Sequence, residues 1–115
     1  MMPIPDSFEL ISFFETEPVV DFPDDGWEYN HLTFVVIQGN ERLVCEMEPA
    51  ELIFNLKWYD GETERFNLNL GTADGLAIEK TAGRELLRVT FSDNTGVLML
   101  QLKPRIHIFI ATKME

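Results

Sequence analysis

From residue 31 to residue 110, apolar residues recur at every second position in short runs separated by turn signals. That period fits strands, whose successive side chains point to opposite faces. In the first run Leu32, Phe34 and Val36 hold one phase and Thr33, Val35 and Ile37 the other, the pattern of a central strand apolar on both faces. Gly39-Asn40 follows, a two-residue hairpin pair in which both residues tolerate positive φ. The return run sets Leu43, Cys45 and Met47 against Arg42, Val44, Glu46 and Glu48 until Pro49 interrupts it. Leu52, Phe54, Leu56 and Trp58 then alternate with Ile53, Asn55, Lys57 and Tyr59, which puts Trp58 in the core phase. Asp60-Gly61 is the strongest hairpin signal, and beyond it Phe66, Leu68 and Leu70 face inward. A turn over 71–75 leads to a short strand near 76–80, and Gly83 precedes a strand with Leu87, Val89 and Phe91 inward. Residues 92–96, SDNTG, have the composition of a hairpin tip. The last run is one long strand carrying Leu98, Leu100, Leu102, Ile106, Ile108 and Ile110. Pro104 cannot donate to a ladder, so this strand bends there or lies at an edge.

About seven closely spaced strands joined by hairpin turns predict a mainly β fold, an antiparallel β-sandwich or flattened barrel. One short helix precedes it. Asp6-Ser7-Phe8-Glu9 matches a capping box, and Leu10, Ile11 and Phe14 share one side of the run from Phe8 to Glu15. Two helical turns are not stable alone, so this helix has to dock its aromatic face. The competing reading is a strand with Phe8 and Leu10 inward. The 115 residues fit a single domain, 1–115, divided into a helix plus acidic loop (1–30) and an antiparallel meander (31–112). No run approaches the ~20 apolar residues of a membrane span. The N-terminal MMPIPDSFEL has neither a positive region nor a long apolar stretch, and a lone Cys45 excludes an intrachain disulfide. A cytoplasmic protein is the expectation.

Charge is distributed unevenly. Residues 1–41 contain nine acids and no Lys or Arg; residues 42–115 hold the other eleven acids and all nine basic residues, a net of −2. The first third thus carries −9 of the −11. Such a field repels nucleic acid and anionic membrane, and attracts a basic protein or a cation. Its centre is VVDFPDDGWEYN at 19–30, where Asp21, Asp24, Asp25 and Glu28 interleave with Phe22, Trp27 and Tyr29.

Catalysis finds little support. Cys45 lies on the apolar phase of its strand, Ser7, Ser12 and Ser92 sit in no nucleophile elbow, and His31 and His107 belong to distant segments. No phosphate loop or zinc spacing occurs. Aligning Gly26 with the glycine of an EF-hand loop places Asp21 and Asp25 correctly, but puts Pro23 at the third ligand and Leu32 where the bidentate Glu belongs. An irregular cation site on Asp21, Asp24, Asp25 and Glu28 stays open, and no cofactor is implied.

The short helix ending in Phe13-Phe14, the acidic loop, the meander and the closing VTFSDNTGVLMLQLKPRIHI resemble small acidic bacterial immunity proteins of polymorphic toxin systems. The resemblance is one of architecture, and implies a cytosolic, non-catalytic inhibitor of a toxin. The expected function is therefore a non-enzymatic protein-binding module. Asp21, Asp24, Asp25, Trp27, Glu28 and Tyr29 would meet a basic protein partner, with Trp27 as the anchor. The plain alternative is a solvated loop with Trp27 and Phe22 covering the end of the sandwich. Two further readings are a small-molecule carrier with an apolar pocket between the β-layers, and a homodimer or larger homo-oligomer paired through the C-terminal strand.

Overall fold

The computed structural model describes residues 5–70, 73–91 and 95–112. Helix α1, Ser7–Phe14, opens on the expected capping box: the Glu9 N–H donates to the Asp6 side chain (2.8 Å) and the Asp6 N–H donates to Glu9 Oε1 (3.1 Å). It closes on Glu15, which turns left-handed at φ 56° and donates its N–H to the Ile11 carbonyl. Leu10, Phe13 and Phe14 are buried, so the docked face includes Phe13 and leaves Ile11 at its margin and Phe8 exposed. The Phe14 ring stacks on Phe34 with centroids 4.4 Å apart, and Phe13 meets Phe14 edge-on. This aromatic contact holds two turns that would not persist in water. The strand reading of this segment is excluded.

Two antiparallel sheets follow. The first runs in the order β1 (Val19–Val20), β2 (Leu32–Gln38), β3 (Glu41–Glu48), β4 (Ile53–Asp60) and β5 (Thr63–Leu70). The second runs β6 (Ala73–Thr81), β7 (Arg84–Phe91), β8 (Gly96–Gln101) and β9 (His107–Thr112). Each strand pairs with its neighbour in sequence, and the two ladders stay separate, so the architecture is a sandwich and not a closed barrel. Among the described residues, nine strands replace the expected seven for two reasons. The two-residue β1 is too short to show a period, and the long C-terminal run reverses direction around Pro104, so that Leu98 faces Ile110 and Leu100 faces Ile108 across the β8–β9 ladder.

Between the sheets, Leu43, Cys45, Met47, Phe54 and Leu56 meet Leu76, Leu87, Val89, Leu98 and Leu100 in one buried cluster that α1 joins. Trp58 is half-buried at its margin and donates its indole N–H to Glu41 (3.1 Å). Outside the core, Gln38 Nε2 of β2 donates to the Leu102 carbonyl just beyond β8, and an ion pair between Glu15 and Lys103 ties the end of α1 to the turn between β8 and β9. β2 is not apolar-covered on both faces as its composition implied. Val35 and Ile37 are exposed, because the outer face has no second layer and β1 covers only Leu32 and Thr33.

Two turns differ from expectation in frame. Asp60 pairs with Thr63, so the connecting residues are Gly61-Glu62 and not Asp60-Gly61. β6 begins at Ala73 with a bulge before Gly75, which leaves only 71–72 of the expected turn; 71–72 and 92–94 lie outside the described residues. Gly61 adopts φ 60° and donates to the Asn40 carbonyl (2.9 Å), while Asn40 Nδ2 donates to Asp60 (3.0 Å), locking two hairpin tips together. A Cβ at Gly61 would stand 3.1 Å from Asn40 Nδ2 in a backbone region disfavoured for L-residues. Gly61→Ala should therefore cost about 1–2 kcal/mol in urea unfolding.

Candidate partner-binding surface

The segment after α1 builds the acidic surface by extending a ladder. Val19 and Val20 pair with Thr33 and Leu32, and the Asp21 N–H donates to the His31 carbonyl (3.3 Å). At the next position the side chain of Asn30 replaces a strand. Its Oδ1 accepts from the Phe22 N–H (2.8 Å) and its Nδ2 donates to the Phe22 carbonyl (2.7 Å). The primary amide has the donor and acceptor pattern of a peptide group, so it pairs with Phe22 as a backbone neighbour would. The same Nδ2 points toward the carbonyls of Asp25 and Gly26, both at 3.4 Å. Asn30 is 0% exposed, and this clasp satisfies its amide in full. The loop tightens further through the Asp25 N–H to the Phe22 carbonyl, and through a 3₁₀ turn at Trp27–Tyr29.

The clasp divides the loop's side chains. Trp27 is half-buried and packs against the core beside Leu10 and Ile11 of α1. Phe22 (59% exposed) and Tyr29 (74%) turn outward. Asp21, Asp24 and Asp25 are exposed and have no ion-pair partner among the described residues. The side chain of Glu28 lies outside what is described. The structure thus places the three aspartates and Tyr29 on one solvent-facing loop and sets Trp27 beneath it, with Phe22 as the second outward aromatic residue. An open apolar groove of about 240 Å³ runs alongside, lined by Leu10, Ile11, Pro18, Val20, Trp27 and Phe34. Further carboxylates adjoin from β3 and the turn after it. The Trp27–Tyr29 turn contacts the turn at Pro49–Glu51, and the His31 ring lies 3.1 Å from Glu46 and 3.5 Å from Glu48.

Sequence reasoning missed Asn30 and the β3 carboxylates. An asparagine between an acidic loop and a strand carries a signal for a turn, not for a buried amide. The β3 carboxylates read as an ordinary solvent-facing phase until the topology brings them beside the loop.

Cys45 is fully buried in the core, and burial, with the neighbouring Glu46 carboxylate, raises its thiol far above the usual range. Ellman's reagent should find no thiol in the native protein and one after denaturation in guanidinium; rapid native labelling would contradict the packing. His31 leads into the first sheet, whereas His107 opens β9 in the second and stacks on Phe109. The two histidines form no pair. No group of three His, Cys, Asp or Glu residues among the described residues is arranged to hold a metal ion.

No helix among the described residues is long and apolar enough to cross a membrane. No protein-family model matches the sequence, and no curated protein does. One solved structure is similar over nearly the whole length of both chains. The resemblance to immunity proteins meets it at the level of fold: the chain superposes, with a TM-score of 0.80, 15% identity and 97% of each chain covered, on a chain of the contact-dependent growth inhibition toxin–immunity protein complex from Klebsiella pneumoniae 342.

Proposed function

We propose that this chain is a non-enzymatic, immunity-type inhibitor that occludes a basic protein partner through the loop at 21–29. The observation that carries the reading is the Asn30 clasp. A loop held by a fully buried amide presents Asp21, Asp24 and Asp25, without an ion-pair partner among the described residues, beside outward Phe22 and Tyr29. An acidic rim draws a basic partner in, and aromatic side chains in its midst supply contact area once the partner has docked. Preorganisation lowers the entropy lost on binding. The similar structure, a chain of a toxin–immunity complex, supports a protein as the ligand class. Neither nucleic acid nor anionic membrane suits this field, and the reading implies action in the cytoplasm. Inhibition here is steric, so no residue of this chain has to do chemistry.

Occupancy of the inter-sheet layer by Leu43, Leu56, Val89 and Leu98 favours the binding module over a carrier with a ligand between the β-layers. The test is stopped-flow association with the purified product of the neighbouring gene, comparing wild type with Asp24→Lys/Asp25→Lys. Identical association kinetics for the two would remove the proposal.

A further inference from the structure

Beside the acidic loop, the open groove along α1 and β1 has a lining of one chemical kind. Leu10, Leu32 and Phe34, each 1% exposed, form its floor, and half-buried Ile11, Val20 and Trp27 stand around it. Ser7 and exposed Glu17 are the polar residues that line it. No buried side-chain polar atom among the described residues is left without a partner, so a guest meets hydrocarbon and aromatic surface and no group that requires a polar atom. At about 240 Å³ the groove is smaller than the ~300–1,000 Å³ of a cofactor or drug-sized site, yet larger than a ~150 Å³ cavity that accepts benzene. The fit is to one large apolar side chain.

Charge then selects what carries that side chain. Every residue that lines the groove belongs to 1–41, the segment with nine acids and no Lys or Arg. Asp21 directly follows Val20, Asp24 and Asp25 closely precede Trp27, and Glu17 stands at the margin. Other hollows on the surface lack this character: one is lined by Arg84 and Lys103, another by Lys80 beside Phe8. An anionic amphiphile such as a fatty acid is repelled by the acidic rim, and a second copy of this chain brings the same −11. We infer that the groove receives one large apolar side chain, leucine-sized or aromatic, from a Lys- or Arg-flanked segment of the basic partner, with the flanking cations set against Asp21, Asp24 and Asp25. This rests on the proposed inhibitor role and gives its partner an anchor of stated chemistry. The aspartates govern the rate of encounter, and the filled groove governs how long the complex lasts.

NMR titration of the isotope-labelled protein with three capped pentapeptides, KKFKK, KKSKK and EEFEE, tests it. KKFKK should shift the Trp27 indole N–H and the Ile11 and Val20 signals, and bind about tenfold more tightly than KKSKK, the gain from partly burying one ring. EEFEE should leave the groove unmoved at millimolar concentration. Ile11→Trp, which fills the groove from α1, should bring KKFKK down to the affinity of KKSKK with the native circular dichroism retained. Equal binding of KKFKK and KKSKK to the wild type, with shifts confined to 21–25, overturns the groove while leaving the inhibitor reading intact. That reading fails separately, in unchanged stopped-flow association of the loop variant. Equal binding of KKFKK and EEFEE overturns the basic occupant. No groove shift with any peptide overturns the inference, and groove signals that move on diluting the protein alone put a second copy in the partner's place and overturn it too.

Discussion

Asn30→Asp should destabilise the protein by about 3–5 kcal/mol at neutral pH, the cost of an uncompensated buried charge. The side-chain nitrogen at this site faces the carbonyls of Phe22, Asp25 and Gly26, and only the oxygen meets a donor. A carboxylate sets a second acceptor against those carbonyls in a site with no access to water. The introduced carboxyl is therefore held well above its unfolded value near 3.9. The sign follows from proton linkage. The folded state binds the proton more tightly than the unfolded chain, so the variant is least impaired below about pH 4, and its deficit grows as pH rises through the folded value. Asn30→Ala, which leaves the Phe22 N–H and carbonyl without partners but adds no charge, should cost about 2–3 kcal/mol with no such pH dependence. Urea unfolding at several pH values separates the two. A variant as stable as wild type, or a deficit flat in pH, would show that the amide does not hold the loop.

The second large effect is kinetic. Asp24→Lys/Asp25→Lys changes the charge of the loop by +4 without touching any described contact, so stability should move by no more than about 0.5 kcal/mol. Association with a basic partner should slow by about 10–100-fold at low ionic strength, since steering by a surface of one sign contributes factors of that order. The salt dependence should flatten, and the two proteins should converge near 1 M salt, where screening acts over about 3 Å. Glu62→Lys/Glu64→Lys supplies the control. It makes the same change in net charge at the β4–β5 tip, which is locked to the β2–β3 tip at the far end of β2 from the loop. If the control slows association as much as the loop variant does, net charge and not the loop is what the partner senses.

Much of the fold was legible because alternation is a local property. Leu43, Cys45 and Met47, or Leu87 and Val89, identify their own face without reference to anything distant, and all five are buried. The Asp6–Glu9 capping box is local too. What was illegible depended on partners remote in sequence. Val35 and Ile37 have the composition of a covered face, and only the sheet order reveals that nothing lies over them. The run through Pro104 looks continuous because both halves keep the same phase, and that phase survives the reversal that pairs Leu98 with Ile110. The site divides in the same way. Charge placed Asp21, Asp24 and Asp25 on the surface, since unpaired carboxylates seldom go elsewhere. Aromatic residues in a loop have no period, so nothing in the sequence distinguished buried-facing Trp27 from outward Phe22 and Tyr29.

The clasp has a consequence for how such a chain can change over generations. Every atom that Asn30 holds belongs to the main chain: the N–H and carbonyl of Phe22 and the carbonyls of Asp25 and Gly26. Any residue other than proline supplies the same groups at position 22, and the outward side chains at 21, 24, 25 and 29 take no part in holding the loop's shape. Under the proposed function, the loop can be rewritten for a new partner while its scaffold stays constant, which separates the heritable freedom to alter recognition from the constraint of remaining folded.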